Sequence, residues 1–234
     1  MNEPDEADEA DAIAARYARR AGLDARYGVD RPDVRMTLQE RQRALLALFD
    51  RIGWHARADK RVFEVGCGHG ANLVELMQLG FAAPNLGGVE LLPGRLEAAR
   101  AALPQAIALH AGDALALDLP SASQDAVLVA TVFSSLLADA YQQRLADAIW
   151  RWVKPGGGVL WYDFTVNNPR NADVRGVPLA RVRALFPHGR VQAQRVTLAP
   201  PLARLVTRVH PGLYTAFNAV PWLRTHLLAW VGKP

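Results

Sequence analysis

The chain lacks several features that define common classes of protein. It has one cysteine, Cys67, in 234 residues, so it forms neither an internal disulfide nor a multi-cysteine zinc site. No stretch approaches the roughly 18 uninterrupted apolar residues of a membrane-spanning helix. The acidic start, residues 1–6, has no apolar core of a signal peptide. These absences favour a cytoplasmic protein.

Acidic residues are also scarce in one part of the chain. Residues 1–12 contain six acids and no base, whereas Asp173 is the single acid between Thr165 and Pro234, against ten Lys or Arg. The net charge of +4 therefore conceals a basic C-terminal third. The positive electrostatic potential of this basic region favours anionic partners.

The composition fits one globular domain with a short N-terminal addition. Half of the residues are apolar and 21% are charged, which is enough to build a single core. We predict an acidic tail or helical cap at 1–36 and the main domain at 37–234. The first helix of that domain is predicted to start at a capping box, Thr37–Glu40, and to end at Gly53.

A strand, a glycine-rich turn and a helix follow one another near residue 66. An apolar run up to Val65 leads into Gly66, Gly68 and Gly70, and a helical pattern starts at Ala71. Glycine accepts positive φ and has no Cβ, so the backbone can lie against a ligand at the N-terminal end of the helix. Taken alone, the turn also fits the dinucleotide fingerprint, whose last position accepts alanine.

Strands and helices alternate through most of the chain. The run 125–131 is almost wholly apolar, which is typical of a parallel strand covered on both faces. The alternation predicts a doubly wound α/β sheet that binds ligands at the carboxyl ends of its strands. The predicted strands are the run before Gly66 and residues 85–91, 106–110, 125–131, 159–164, 190–198 and 225–231, with a turn at Lys154–Gly158.

Three of these strands end in groups that one ligand can use together: the glycine turn, Glu90 and Asp113. Residues 37–164 resemble a class I S-adenosylmethionine-dependent methyltransferase of the small-molecule type. The resemblance is carried by Glu64–Gly70, Glu90, Gly112–Ala114, Gln124–Val127 and Lys154–Gly157, in that order. It implies a Rossmann-like, seven-stranded sheet of order 3-2-1-4-5-7-6, closed by an antiparallel C-terminal hairpin and preceded by an N-terminal helical cap.

The resemblance also implies which residues bind the cofactor, S-adenosylmethionine. Glu90 is expected to accept the ribose hydroxyls, Asp113 the adenine amino group, and Glu64 to orient the turn toward the methionine end. Asp113 can instead cap a short helix. A nicotinamide cofactor is disfavoured because its catalytic residue pattern is missing. The predicted cofactor-binding residues are Glu64, Gly66, Gly68, Gly70, Glu90, Leu91, Asp113, Ala114 and Thr131.

Candidate catalytic residues lie where the fourth and fifth strands end. An alcohol acceptor needs a base, and the predicted catalytic residues are Asp163 and Tyr162; Asp163 can alternatively be a structural hydrogen-bond acceptor. Thr131, Ser134, Ser135, Asn167 and Asn168 are further candidates. The chain has no Asn-Pro-Pro-Tyr motif after the fourth strand and no acidic pair for magnesium there. The sequence therefore predicts a metal-free reaction, most readily at oxygen.

Three functions compete for this sequence. The favoured one is methyl transfer to a small-molecule or glycan- or lipid-linked acceptor. The second is methylation of RNA or another nucleic acid, which the basic C-terminal third favours and the lack of an added binding domain disfavours. The third is a non-catalytic regulatory protein that binds S-adenosylmethionine.

The segment 199–224 is predicted to be a helical flap between the last two strands. A hairpin needs few residues, so an insertion of this length is usually functional. Its apolar residues are interleaved with Arg204, Arg208 and Arg224, which suits a cover over an anionic acceptor or a peripheral contact with an anionic membrane. The alternative is that its apolar residues belong to the core and its arginines are solvated.

Overall fold

The protein folds around one seven-stranded sheet. The computed structural model describes residues 6–19, 28, 30–167 and 171–234. The strand order is β3-β2-β1-β4-β5-β7-β6, and β7 runs antiparallel to both β5 and β6, so the predicted topology and C-terminal hairpin are confirmed. The strands are β1 (Val62–Val65), β2 (Leu86–Glu90), β3 (Ala108–Ala111), β4 (Gln124–Ala130), β5 (Val153–Phe164), β6 (Arg190–Leu198) and β7 (Arg224–Gly232).

Helices cover both faces of the sheet because the inner strands bury residues on both sides. Val127 and Val129 of β4 pack in one cluster with residues of the helices 139–152 and 179–185. Ala126 and Leu128 pack in another cluster with residues of the helices 32–51, 71–78 and 93–102. The helices are α1 (Glu6–Ala18), α2 (Pro32–Arg51), α3 (Ala71–Gln78), α4 (Pro93–Ala102), α5 (Asp139–Trp152), α6 (Leu179–Leu185), α7 (Pro200–Val209) and α8 (Gly212–Asn218). None of the described helices is long and apolar enough to cross a membrane.

Helix α2 starts earlier than the sequence predicts. Pro32 occupies its first turn, a position where proline's fixed φ and missing N–H cost little. Thr37 therefore lies inside the helix, where its hydroxyl donates to the carbonyl oxygen of Asp33 at 2.9 Å. The predicted capping box at Thr37 is wrong, and the domain boundary placed at residue 37 falls within α2.

Strand β5 also starts earlier than predicted. Residues 153–158, including the predicted turn, belong to β5, and the register between β4 and β5 shifts between Gln124 and Ala126. Gly158 pairs with Gly232 of β7, and Lys233 donates its backbone N–H to the carbonyl oxygen of Gly157 at 2.8 Å. The antiparallel partner thus extends the strand through a glycine run that reads locally as a turn.

The segment 199–224 contains the two helices α7 and α8 between β6 and β7. Their inward residues form a small third cluster that includes Leu198, Val206 and Tyr214, with Met36 of α2 packed against it. The Tyr214 hydroxyl accepts a hydrogen bond from the backbone N–H of Leu198 at 3.3 Å. The flap is therefore attached to the end of β6 and to the N-terminal half of α2.

Candidate functional site

A cavity of about 270 Å³ lies at the carboxyl ends of β1, β2 and β4. This edge is where an open α/β sheet binds ligands. Seven of the nine predicted cofactor-binding residues line the cavity: Gly66, Gly68, Glu90, Leu91, Asp113, Ala114 and Thr131. Gly70 and Glu64 do not line it. The residues predicted from the sequence thus mark the position of the cavity. The side chains that line it determine which ligand it can bind.

The glycine turn brings backbone to the cavity wall. Gly66 and Gly68 have φ values of 68° and 57°, a region that residues with a Cβ rarely adopt. A Cβ on Gly66 would lie 2.9 Å from Cγ2 of Val132, whereas one on Gly68 would meet nothing closer than the Arg95 guanidinium carbon at 3.8 Å. Gly68 therefore leaves space beside the backbone that a side chain would fill.

Gly70 supports the turn from behind. It precedes α3 with a φ of 84°, and a Cβ there would lie 2.6 Å from Cδ1 of Leu103. Its N–H donates to the carbonyl oxygen of Cys67 at 2.9 Å. Gly70 thus allows close packing of α3 on the end of α4, and it acts on the cavity only through the shape of the turn.

Glu90 is the last residue of β2 and is buried at the cavity. One carboxylate oxygen accepts the backbone N–H of Gly68 at 2.8 Å, and the other accepts that of Leu92 at 2.9 Å. These bonds fix the carboxylate against the glycine turn and leave further lone pairs on both oxygens. The group is therefore held in place to accept hydrogen bonds from a ligand.

Asp113 follows β3 and uses its carboxylate in two ways. Its Oδ1 accepts the backbone N–H of Leu115 at 2.9 Å, which caps a short 3₁₀ turn. The predicted cap is therefore present, and Asp113 also lines the cavity. The same Oδ1 accepts the Tyr141 hydroxyl of α5 at 2.6 Å. Burial and the neighbouring Asp113 carboxylate raise the pKa of Tyr141. Tyr141 lines the cavity, and no signal in the sequence marks it because its contact with Asp113 is tertiary.

Glu64 lies behind the glycine turn, on the face of the sheet that α2 and α3 cover. It is fully buried, and its Oε1 accepts the Asn72 side-chain amide at 2.5 Å. Burial is the main reason that the pKa of Glu64 is raised to about 8. Its Oε2 has no hydrogen-bond partner among the described residues. Glu64 therefore joins β1 to the first turn of α3, and it reaches the cavity through Asn72, which lines it.

Thr131 is one of the exposed residues of the cavity wall. It directly follows β4 with a φ of 56°, and its backbone N–H donates to the carbonyl oxygen of Tyr162 at 2.8 Å. Its hydroxyl donates to the carbonyl oxygen of Ala130 at 2.7 Å. A non-glycine residue in this conformation is uncommon and is often found at functional sites.

Helix α1 covers the cavity from the N-terminal side, so the predicted helical cap is present. Ile13 and Tyr17 line the cavity. The Arg16 guanidinium forms a buried ion pair with Glu9 at 2.7 Å and donates to the Ser135 carbonyl oxygen at 3.0 Å. The sequence showed an acidic, alanine-rich segment but not its contact with residues 119 positions away.

Arg95 adds a cation at the same side of the cavity. Its guanidinium carbon lies 4.8 Å from the centre of the Tyr17 ring, and Arg95 lines the cavity together with Tyr17. Stacking of this kind orients both side chains. The contact joins α1 to α4 across the mouth of the site.

The structure does not bring Asp163 to the cavity. Its side chain is buried, and it accepts the backbone N–H groups of Ser134 at 3.0 Å and Phe164 at 2.9 Å. Burial raises the pKa of Asp163 to about 7. Asp163 holds the turn after β4, which fits the alternative of a structural acceptor, and its side chain does not line the cavity.

Tyr162 points to the opposite face from Asp163 because neighbouring strand residues alternate. Its hydroxyl shares a hydrogen bond of 2.8 Å with the Thr197 hydroxyl, and burial is the main reason that the pKa of Tyr162 is raised to about 12. The His226 ring stacks on it at 5.1 Å, and the Arg41 guanidinium carbon lies 5.2 Å from its centre. Arg41, Tyr162 and His226 are called the aromatic-cationic cluster below.

The aromatic-cationic cluster adjoins the main cavity. A second, small cavity of about 10 Å³ is lined by Arg41 and Tyr162, and also by Asn72 and Ala130, which line the main cavity as well. Arg41 donates to Asn72 at 2.8 Å and to Glu75 at 2.5 Å. The pKa of His226 is lowered to about 4 by burial and by the Arg41 charge, so its imidazole is neutral at pH 7.

The remaining acceptor-side candidates have mixed positions. Ser135 lines the cavity, and its hydroxyl lies 3.5 Å from that of Tyr17. Ser134 is buried outside the cavity, and its hydroxyl has no partner among the described residues. Asn167 accepts the Gly176 backbone N–H at 2.8 Å, whereas Asn168 lies outside the described residues.

Comparison with known proteins agrees with this arrangement. Residues 62–157 match the family described as a methyltransferase domain. A curated relative, the demethylmenaquinone methyltransferase of Deinococcus radiodurans, is 37% identical over 114 residues, which are 47% of this chain and 45% of the relative. The chain thus spans less than half the length of that relative.

Solved structures share the fold at low sequence identity. A chain of the Haloferax volcanii complex between the Trm112 methyltransferase activator and a methyltransferase is 19% identical, with a TM-score of 0.60 over 86% of this chain and 94% of that chain. An S-adenosylmethionine-dependent methyltransferase of Archaeoglobus fulgidus is 14% identical, with a TM-score of 0.57 over 82% and 96%. The protein therefore shares the fold of these S-adenosylmethionine-dependent methyltransferases, and its residues 62–157 are similar to a methyltransferase domain.

Proposed function

We propose that the protein transfers a methyl group from S-adenosylmethionine to an oxygen of a small, anionic acceptor, which can be glycan- or lipid-linked, without a protein-bound metal. The observation that carries the proposal is the cavity at the ends of β1, β2 and β4, where backbone, carboxylates and the cover from α1 meet. The relative from Deinococcus radiodurans, whose name gives demethylmenaquinone as its substrate, supports a small-molecule acceptor.

The residues of the cavity fit the cofactor. Gly68 leaves open space beside a backbone in the left-handed region, and Glu90 has free lone pairs on a buried, fixed carboxylate. These are the features that a ribose needs from its site. When bound, S-adenosylmethionine supplies the reactive sulfonium methyl group, and the protein has to align the acceptor and exclude water. Ile13 and Tyr17 of α1 are positioned for that exclusion.

The acceptor is proposed to bind beside the aromatic-cationic cluster. Arg41 places a guanidinium charge there, which is paired with Glu75 at 2.5 Å and oriented by Glu75 and Asn72. An anionic group on the acceptor would complement that charge. Asn72 and Ala130 line both cavities, so an acceptor at this place adjoins the methyl donor. Thr131, exposed at the same edge, is a further candidate contact.

An oxygen acceptor must lose a proton during transfer. The imidazole of His226 is unprotonated at pH 7 because burial and the Arg41 charge lower its pKa. A pKa that low makes the free ring a weak base, so its role requires an anionic group on the acceptor to offset the Arg41 charge and raise the pKa. The Nδ1 of His226 lies 3.1 Å from the Thr225 hydroxyl, which can fix the ring. His226 replaces Asp163 and Tyr162 as the candidate base. No motif in the sequence marks it, because β7 is distant in sequence from the cofactor motifs.

Transfer of labelled methyl from S-adenosylmethionine to extracted metabolites, with bulk RNA as a parallel substrate, tests the proposal. We expect label in an anionic small molecule or amphiphile, undiminished by a metal chelator. A His226→Asn variant should turn over more slowly while keeping its affinity for the cofactor. Label confined to RNA would favour the nucleic-acid alternative, which the basic C-terminal third supports. Cofactor binding without transfer to either pool would favour a regulatory protein.

A further inference from the structure

The flap exposes large apolar side chains. Trp222 is 85% exposed, Val209 77% and Leu205 62%, and Phe217 and Val220 are also exposed. Isolated apolar residues on a surface are ordinary, but a group of this size in one short segment marks an interaction site. These five residues, together with Arg204 and Arg208, are called the flap surface.

The flap has two distinct faces. Leu202, Val206 and Tyr214 point inward and pack in the third cluster with Leu198 of β6. Arg204 and Arg208 alternate with Leu205 and Val209 on the opposite side of α7 and are exposed. Because both α7 and α8 bury residues in the same cluster, their exposed sides face away from the domain together. The alternative that the flap is only core therefore accounts for its inner face and leaves the flap surface unexplained.

The flap surface is also positively charged without compensation. No Asp or Glu occurs between residues 174 and 234. In the part of the chain that the structure describes, Arg204 and Arg208 have no ion pair or hydrogen bond from their guanidinium groups. Both therefore remain available to a negatively charged partner.

We propose that the flap surface docks the protein on a lipid bilayer that contains anionic lipids. Interfacial helices of this kind bury aromatic and aliphatic residues at the headgroup boundary while arginines contact the anionic headgroups. Trp222 is suited to that boundary because its ring is amphipathic. Charge complementarity favours this occupant over a second copy of the chain, since a twofold contact would bring the same arginines together.

The inner side of the flap is attached beside the proposed acceptor site. Tyr162 of the aromatic-cationic cluster shares a hydrogen bond with Thr197, and Tyr214 of the flap accepts one from Leu198. In this part the inference rests on the proposed function: an amphiphilic acceptor would stay in the bilayer while its polar group reaches Arg41. The docking itself does not depend on methyl transfer.

Co-sedimentation with vesicles tests the docking without cofactor or acceptor. The probes are vesicles of phosphatidylcholine alone and of equal parts phosphatidylcholine and phosphatidylglycerol. We expect the parent to bind the anionic vesicles, to bind phosphatidylcholine far less, and to dissociate as salt is raised. An Arg204→Glu, Arg208→Glu variant should bind at least about tenfold more weakly, and Trp222→Ala should weaken binding several-fold.

An Arg183→Glu, Arg190→Glu variant is the matched control, because it makes the same charge change at exposed sites outside the flap. It should keep most of the parent's binding. The proposal is overturned if the parent ignores anionic vesicles, or if the control loses as much as the flap variant. It is also overturned if light scattering shows a dimer that Trp222→Ala dissolves while vesicles are not bound. Loss of docking with methyl transfer to a water-soluble acceptor intact would leave the proposed function standing.

Discussion

The two ends of the sheet's carboxyl edge are built by different means. At β1 and β2 the site consists of backbone in the left-handed region and a few carboxylates that bind backbone N–H groups, as Gly68 and Glu90 do. At β5 and β7 it consists of side chains that stack on one another, as Tyr162, His226 and Arg41 do. The end at β1 and β2 requires glycines and acidic residues at fixed spacing. The end at β5 and β7 can be built from many different side chains.

This difference explains why one end has a readable motif and the other has none. A cofactor common to a whole class needs the same backbone approach in every member, and only glycine allows it. An acceptor differs from one enzyme to the next, so its site depends on side chains and loops. Substitutions at the two ends should therefore have different effects on cofactor binding. The following experiments test that contrast.

The largest effect is expected at the glycine turn. A Gly68→Val variant places a branched side chain in the left-handed region and in the open space of the cavity, so cofactor affinity should fall by about a hundredfold or more. Gly156→Val is the control, because Gly156 has a similar φ of 76° and nothing within 4 Å of its Cβ position. It should lose stability yet bind the cofactor normally. Equal losses of binding in calorimetric titration would show that backbone strain alone is responsible.

The carboxylates at the strand ends should have the next largest effect. Glu90→Gln and Asp113→Asn are each expected to weaken cofactor binding by about 1–3 kcal/mol, through loss of charge-assisted hydrogen bonds. Asp125→Asn is the control: Asp125 pairs with Lys154 at 2.8 Å at the other end of β4. It should change stability without changing affinity. If both Glu90→Gln and Asp113→Asn bind the cofactor as tightly as the parent, the cavity is not the cofactor site.

Glu64 should make the cofactor end sensitive to pH. Its pKa of about 8 lies above its ordinary value of 4.5, so the folded state binds the extra proton and stability falls as pH rises between these values. Glu64→Gln should therefore gain at least about 1 kcal/mol of unfolding free energy over the parent between pH 5 and pH 8. Denaturant unfolding at both pH values measures this. The exposed Glu97→Gln on α4 serves as control, and a parallel pH dependence in parent and Glu64→Gln would contradict a raised pKa.

The smallest effect is expected from the cover that α1 provides. Tyr17→Ala removes one cavity wall and the ring beneath Arg95, so the cofactor should dissociate about threefold to tenfold faster, consistent with loss of one cation–π contact of about 1 kcal/mol. Asp11→Ala, on the exposed side of α1, should leave the rate unchanged. Stopped-flow dissociation kinetics separate the two. Identical rates in the parent and Tyr17→Ala would mean that α1 does not cover bound cofactor.

Much of the fold and of the cofactor end could be predicted because each depends on local signals. The glycine turn and the apolar runs give the strand order once the class is recognised. The proposed acceptor end could not be predicted, because the alternation of side chains along a strand decides which face of the sheet each one points to. Gly66 and Thr131 follow the last residues of β1 and β4 and so face the cavity, whereas β5 continues to Phe164 and keeps Asp163 turned into a sheet face.

Tertiary context overrode local signals elsewhere. Thr37–Glu40 has the composition of a capping box, but Pro32 starts the helix a turn earlier and Glu40 accepts the backbone N–H of Thr197 instead. The contacts of α1 with Ser135 and of Tyr141 with Asp113 join distant parts of the chain. Such contacts leave no periodicity in the sequence, so only the folded chain reveals them.

Hydrogen–deuterium exchange with and without S-adenosylhomocysteine tests most directly whether the cofactor binds at the β1 and β2 end of the sheet and not at the β5 and β7 end. We predict protection by the ligand in the segments 66–69, 89–92 and 112–114 and in α1, because these line or cover the cavity, with no change in the flap at 199–224. Protection of the flap with no change in 66–69 would contradict the account, since it would place the cofactor at the end of the sheet that we assign to the acceptor and the bilayer.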